Sequence, residues 1–452
     1  MFRVPIFVAW LAIVVLVTIR RPFFGSLVIL VHYVLRDVLV AETYWWFRHN
    51  SNFELLYLAT VVGVLTTRGG RLGEFMPSGP VDWGVLGFLF VLVAAALVNG
   101  VVVVGHKYID LYFKAMVLYF LLSRLADTPR RVTTVALCLV FATGYLAYVA
   151  WRKYRTGELT IARPYWFSSF HEFGLQIIIT LPLAGALVLA RFRPYVRVLL
   201  FALIPLFVLM ALRSYSRSAY LGAGLGVAML LWHYRRHWYL AFAAAPLVVY
   251  AVLHQPARVS ARLESIWTHK TAEGSVDTSI EMRLEQMRTA MNVLSSHPVL
   301  GIGPRQFFQQ YDQYANPEDF GQHEWTYTMH SVPLLILCEE GILGFAVYYG
   351  LIVFGAIRAA RLAVRRSRDV PGLETVGIVG VGALMGYLAY LAYSLTQPTM
   401  WTINIYGTVA LVEAARRVVV AHFREAAEER ETVPSAAPGW APSQPTTQVL
   451  FP

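Results

Sequence analysis

Residues 213–217 read RSYSR, and two arginines stand there in five residues between apolar runs. Arg213 closes one run and Arg217 opens the next, SRSAYLGAGLG. Further along, Arg283, Arg288 and Arg305 fall in one long polar segment that ends at His330. Guanidinium bonds phosphate oxygens bidentately, so a group of arginines suits a diphosphate or a similar anion. A single arginine at a membrane edge can instead snorkel to the headgroups. Imidazole titrates near neutrality and serves as a general base, and His330 sits where an apolar run begins, on what should be a rigid element. His171 and Glu172, in SSFHEFG, and Arg163 just before them lie at a similar boundary. An anion-binding site with a histidine base is the chemistry these residues could do together.

Two carboxylates break the apolar run after His330. Glu339 and Glu340 lie in HSVPLLILCEEG. On one continuous helix Glu340 would be about 15 Å along the axis from His330, too far for a His–Glu dyad. These glutamates are expected to pair with neighbouring helices or to be protonated, a structural role.

The elements that must position these groups follow from composition. The chain has 452 residues, 57% hydrophobic and 14% charged, with mean hydropathy +0.53. Soluble domains carry about 25% charged residues. Long continuous runs such as WGVLGFLFVLVAAALVNGVVVV (83–104) point to membrane helices, since barrel strands would alternate in segments of about ten residues. The expected fold is all-α, a polytopic helical bundle. The net charge of +11 is explained by basic loops between spans, so nucleic acid is not expected as a partner. Cys138 and Cys338 both fall inside apolar runs and read as small core residues. The N-terminal apolar stretch lacks a small-residue cleavage site and reads as a retained first helix.

Apolar segments fall near 4–19, 23–41, 53–67, 83–104, 109–123, 132–151, 167–190, 195–212, 218–232, 238–253, 331–357, 374–396 and 401–420. About twelve spans (11–13) are expected. Arginine clusters at 124–131, 191–197, 235–236, 358–368 and 416–417 recur in one loop of two. Those loops and the C-terminus are therefore expected in the cytoplasm, and 152–166, 213–217, 254–330 and 397–400 outside. The expected organisation is N-terminal membrane helices over 1–253, an external cap over 254–330, C-terminal membrane helices over 331–420 and a disordered cytoplasmic tail over 421–452. Within the cap, Ile280, Leu284, Met287, Met291 and Leu294 have helical spacing, and HPVLGIGPRQFF follows as a Gly/Pro-punctuated turn.

HExxH, CxxC, DxD and nucleotide-binding glycine motifs are absent from the sequence. No metal and no cofactor are expected. A lipid or anion transporter, the alternative of another class, would show inverted repeats and midplane polar groups. No repeat is visible, and the polar residues gather at one face. A non-catalytic scaffold of an envelope assembly is a third reading.

Four pieces, in order, resemble the bacterial O-antigen ligase and O-antigen polymerase family of lipid-linked glycan transferases: IARPYWFSSFHEFGLQIIITLPLAGALVLA; SYSRSAYLGAGLG, which places Arg217; the run from Arg283 through HPVLGIGPRQFF, with Pro298, Gly301 and Gly303; and HSVPLLILCEEGILG. His171 and Glu172 replace the usual Asn or Asp of the first piece. Ser331 stands where the family's H-N-x-x-L…E-x-G signature has Asn, and Glu340 takes the acidic position. RRPFFGSLVILVHYVLRDVL is similar to the exosortase-associated, ligase-like branch. The resemblance implies metal-independent, inverting transfer of a glycan from an undecaprenyl-diphosphate carrier to an acceptor hydroxyl at the periplasmic face of the bacterial inner membrane. The acceptor would be lipid A-core for a ligase, a growing lipid-linked glycan for a polymerase, or a protein hydroxyl. Membrane lipids would be further partners. His330 would be the general base, and Arg217 and Arg283 would hold the diphosphate. Arg213, Arg163, His171, Glu172, Arg288 and Arg305 would line the substrate site.

Overall fold

The computed structural model describes residues 3–43, 51–68, 73–156, 170–214, 216–237, 246, 249, 278–316, 329–368, 370–397 and 403–432. All regular elements among them are helical, with no strand. In chain order these are α1 (Arg3–Arg20), α2 (Pro22–Thr43), α3 (Ser51–Arg68), α4 (Pro80–Val98), α5 (Val102–Leu125), α6 (Pro129–Arg155), α7 (Phe170–Val188), α8 (Pro194–Arg213) and α9 (Arg217–His233). After them come α10 (Thr278–Ser296), α11 (Gln306–Gln309), α12 (Tyr311–Tyr314) and α13 (Val332–Glu339), then α14 (Gly341–Ser367), α15 (Glu374–Ser394) and α16 (Ile403–Thr432). Prolines open α4, α6 and α8, where the missing N–H costs nothing.

Five of these helices, α4, α6, α8, α14 and α15, are long and apolar enough to cross a bilayer, and α1, α2, α3 and α7 contain shorter apolar stretches. The expected twelve spans are not reached among the described residues. The segment expected over 238–253 lies almost wholly outside them. α16 runs past the expected boundary at 420 to Thr432. The charged FREAAEER stretch is therefore helical throughout, supported by an Arg424–Glu428 pair at 2.8 Å one turn apart.

Small residues set the close packing. In α9, a Cβ on Gly222 would lie 3.0 Å from the Ala389 carbonyl oxygen, and one on Gly226 would lie 3.2 Å from the Ala389 Cβ. In α15, a Cβ on Gly382 would lie 3.0 Å from the Leu183 Cα, and one on Gly386 would strike the Ile179 carbonyl. Both pairs have the four-residue spacing by which membrane helices approach backbone to backbone. They lock α7, α9 and α15 together and so place the first turn of α9.

The bundle has two distinct ends. At one, the Arg124 guanidinium meets the Asp82 carboxylate at 2.7 Å, both fully buried, and Tyr119 donates to Asp82 at 2.7 Å. Nearby Glu413 holds Arg416, and Arg417 bonds Ser78 at 2.8 Å. At the other end gather the last turns of α4, α6, α8 and α15 and the first turns of α5, α7, α9 and α16. There the Ser218 and Thr396 hydroxyls meet at 2.5 Å, and Asn404 donates to Gln176 at 2.5 Å.

Candidate functional site

The segment after α10 and the junction of α13 with α14 form one interlocked unit at this second end. Main-chain bonds run from Ile302 to Cys338, Gly303 to Glu339, Ile342 to Pro298 and Leu343 to Val299, at 2.8–3.2 Å. Gly301 has φ +63° and Gly341 has φ +67°. A side chain on Gly301 would strike the Cys338 carbonyl, and one on Gly341 the Val299 carbonyl. Asn99, just past α4, donates to the Gly301 carbonyl at 3.1 Å and ties the unit to the bundle. The glycine motif at 298–303 and the glutamate motif at 339–341 are thus two halves of one structure.

This geometry corrects the continuous helix expected over 331–357. The chain breaks at Glu340, and α14 starts anew at Gly341, because the backbone turns to pair with 298–303. The glutamates therefore precede the membrane helix. Glu339 Oε1 accepts the Phe307 N–H at 3.2 Å, while neither Glu340 oxygen has a hydrogen-bond partner among the described residues. Burial, then the neighbouring Glu339, pushes the Glu340 carboxyl well above the carboxylate range.

α10 carries Arg283 and Arg288. Its sequence periodicity is helical as expected, but the apolar stripe is turned outward: Leu284, Met287 and Met291 are exposed, while Glu285, Gln286 and Thr289 are buried. Two of these inward polar groups are engaged. Glu285 accepts the Tyr311 hydroxyl at 2.6 Å, and Gln286 Oε1 accepts the main-chain N–H of His330 at 3.1 Å.

His330 is half-buried immediately before α13. Its Nδ1 is buried and makes no hydrogen bond among the described residues. Burial, and then the charge of Arg283, lowers the pKa of the imidazole, so it is neutral and able to accept a proton at neutral pH. The structure brings Arg283 and His330 together. Arg305 lies on the same interlocked unit, its guanidinium 5.8 Å over the Tyr108 ring. Its backbone is left-handed, φ +64°, a strained state for a non-glycine. Arg288 is exposed on α10.

A second group lies at the mouth of the bundle. Arg217 is the first residue of α9, half-buried, after Ser216, whose hydroxyl accepts the Ala219 N–H at 3.3 Å. The Arg213 guanidinium stacks 4.6 Å over Tyr154. Glu172, in the first turn of α7, interacts electrostatically with Tyr393. These residues share the end of the bundle that carries His330, on different helices. His171 belongs to α7, but its side chain lies outside the described residues, as does Arg163. Among the described residues no three His, Cys, Asp or Glu side chains group to hold a metal.

Sequence reasoning missed Gln286, Asn99 and Tyr108. Gln286 stands one turn after Arg283 on the same helix face, the only hint of its place. No curated protein matches the chain. The apolar helices mark it as an integral membrane protein. Residues 199–349 match the family model for O-antigen ligase, a stretch that contains Arg217, Arg283, His330 and both interlocked motifs, and the resemblance carried by those motifs is thereby shown.

Proposed function

We propose that the chain transfers a glycan from a lipid diphosphate carrier, an undecaprenyl-type diphosphate, to an acceptor hydroxyl, as an O-antigen ligase. The neutral His330 imidazole beside Arg283, its buried Nδ1 making no hydrogen bond among the described residues, carries this reading. His330 takes the proton of the acceptor hydroxyl as its oxygen attacks the anomeric carbon. The new glycosidic bond forms as the carbon–oxygen bond to the diphosphate breaks, with inversion. The lipid diphosphate leaves with the electron pair, and Arg217 and Arg283 stabilise its growing charge. Arg213, Arg288 and Arg305 add positive potential around the site, and Glu172 lines its membrane edge. Guanidinium meets the need for cations, so the step runs without a metal.

The positive-inside pattern supports a site on the periplasmic side and a cytoplasmic C-terminus. Residues 254–330 then form a cap over the membrane, between helices of 1–253 and 331–420. Incubation of the purified protein with a defined undecaprenyl-diphosphate glycan, with and without lipid A-core, tests the reading. En bloc addition to lipid A-core is expected. A ladder of products without lipid A-core would make the chain a polymerase with the same donor. Absence of glycan transfer from that donor, in a folded protein, would overturn the proposal.

A further inference from the structure

A second arginine-rich site lies at the opposite end of the bundle. A cavity of about 740 Å³ opens where α1 turns into α2 and meets the corner between α5 and α6. Arg20, Arg21 and Arg131 stand on its walls, with Phe23, Leu27 and Leu125 beside them. Its distance from the candidate catalytic site follows from the helices it touches. Leu125 is about 26 Å along α5 from Tyr108, over which Arg305 stacks, and Arg131 is about 35 Å along α6 from Tyr154, over which Arg213 stacks. Two arginine groups thus face each other across the thickness of a hydrocarbon core, about 30 Å.

The three arginines differ in what already holds them. Arg131 pairs with Asp127 at 2.7 Å, donates to the Leu125 carbonyl at 3.3 Å and stacks 5.1 Å over the Phe23 ring. Arg20 and Arg21 are exposed and make no ion pair among the described residues. The first turn of α2 opens on the same space, so its N-terminal dipole adds to the positive potential. Snorkelling arginines on a convex surface reach the headgroup plane without enclosing a volume. Here the guanidinium groups border a concavity with apolar side chains on its walls. Its volume is in the range that holds a small ligand. An occupant must be anionic at one end and apolar at the other, and the surrounding bilayer supplies such a molecule.

We propose that this cleft binds an anionic phospholipid, its phosphodiester held by Arg20 and Arg21 and its acyl chain laid along Phe23 and Leu27. The lipid would wedge the α1–α2 corner, with α3 closely packed on α1 where Gly63 meets the Ile19 main chain, against the α5–α6 corner. The site is independent of the glycan-transfer reading, since none of its residues belongs to that machinery.

The test uses the full chain, purified in detergent and delipidated, with phosphatidylglycerol or phosphatidylcholine of identical acyl chains. Native mass spectrometry should show phosphatidylglycerol retained on the order of tenfold more than phosphatidylcholine. The Arg20→Gln/Arg21→Gln chain should lose that preference, and an Arg365→Gln/Arg366→Gln chain should keep it. Glycerol 3-phosphate should not compete. Equal retention of both lipids, an unchanged preference in the Arg20/Arg21 variant, or full competition by glycerol 3-phosphate would each overturn the proposal. If the double variant does not fold, Phe23→Trp provides the second reading. Brominated phosphatidylglycerol should quench the added tryptophan more than brominated phosphatidylcholine does, relative to the unsubstituted chain, and equal quenching would overturn it.

Discussion

Gln286 Oε1 accepts the main-chain N–H of His330 at 3.1 Å, and Arg283 stands one turn earlier on the same helix. One side chain thus fixes the backbone of the candidate base, and the next turn supplies the charge that tunes it. α10 thus carries both Gln286, which bonds the His330 main chain, and Arg283, whose charge bears on its imidazole.

His330→Ala should lower glycan transfer by about 10²–10⁴-fold, the usual contribution of a positioned base. Gln286→Ala should cost far less, about 2–10-fold, as expected for one hydrogen bond of 0.5–1.5 kcal/mol. The Gln286 loss should fall on kcat, with KM nearly constant, as its bond to the His330 main chain positions the base. Steady-state kinetics on detergent-solubilised protein separate the two, and a change confined to KM would dismiss the positioning role.

The pH–rate profile tests the Arg283–His330 pair. A base must be unprotonated, so activity falls as pH drops through its pKa. Burial and Arg283 both hold His330 below the ordinary 6.5, so the acid limb of kcat/KM should lie below that value. Arg283→Gln removes the smaller of the two causes, and the limb should move upward while the rate falls by about 10²–10³. Arg283→Lys should leave the limb in place. An acid limb that ignores the charge at position 283 would separate His330 from the catalytic proton.

The facing glycines predict a stability defect without a chemical one. Gly301→Ala and Gly341→Ala each place a side chain against a carbonyl, on a left-handed backbone. Each should cost several kcal/mol, about 3 or more, by overpacking and strain combined. Gly224→Ala, with open space around it, should instead be neutral or stabilise by up to about 1 kcal/mol. Thermal unfolding of the three variants in one detergent makes the comparison.

The helical class was legible in the sequence, because long apolar runs are local signals, and the displaced arginines Arg213 and Arg217 marked positions that lie at one end of the bundle. The pairing of Gln286 with His330 was not legible there, since a polar residue in a helix does not name its partner. The stripe Leu284–Met287–Met291 announced a helix but not its orientation, which the polar groups of the opposite face decide. His330 and Glu340 were expected on one rod, yet the break at Glu340 follows from main-chain pairing with a segment some forty residues earlier. Ser331, the departure from the family motif, caps α13 with its backbone only, its hydroxyl making no cap bond.

The Asp82–Arg124 pair illustrates the same limit and carries its own prediction. Asp82 precedes an apolar run and Arg124 closes a helix, with nothing local to couple them. Both are fully buried and 2.7 Å apart. Asp82→Asn strands a buried guanidinium and should cost about 3–5 kcal/mol, seen as a large fall in thermal midpoint. A near-native midpoint would mean that Tyr119, Ser123 and the Met76 carbonyl satisfy Arg124 and its neighbours unaided.

The adjacent glutamates should behave oppositely on substitution. Glu339 answers the Phe307 N–H, so Glu339→Met strands a buried donor and should cost about 1–3 kcal/mol. Glu340 has no partner on either oxygen among the described residues, so Glu340→Met, of similar volume, should be neutral or stabilising. The pH dependence adds a second readout. Burial pushes Glu339 up to about 8 and Glu340 well above the ordinary 4.5. A raised folded-state pKa means that the folded chain binds more protons than the unfolded one in this window. Stability is then full below about 4.5 and falls as pH rises toward 8. Glu340→Met should flatten that slope, measured as thermal midpoint against pH. A Glu340→Met chain that loses stability at every pH would show instead that this carboxyl has a structural partner.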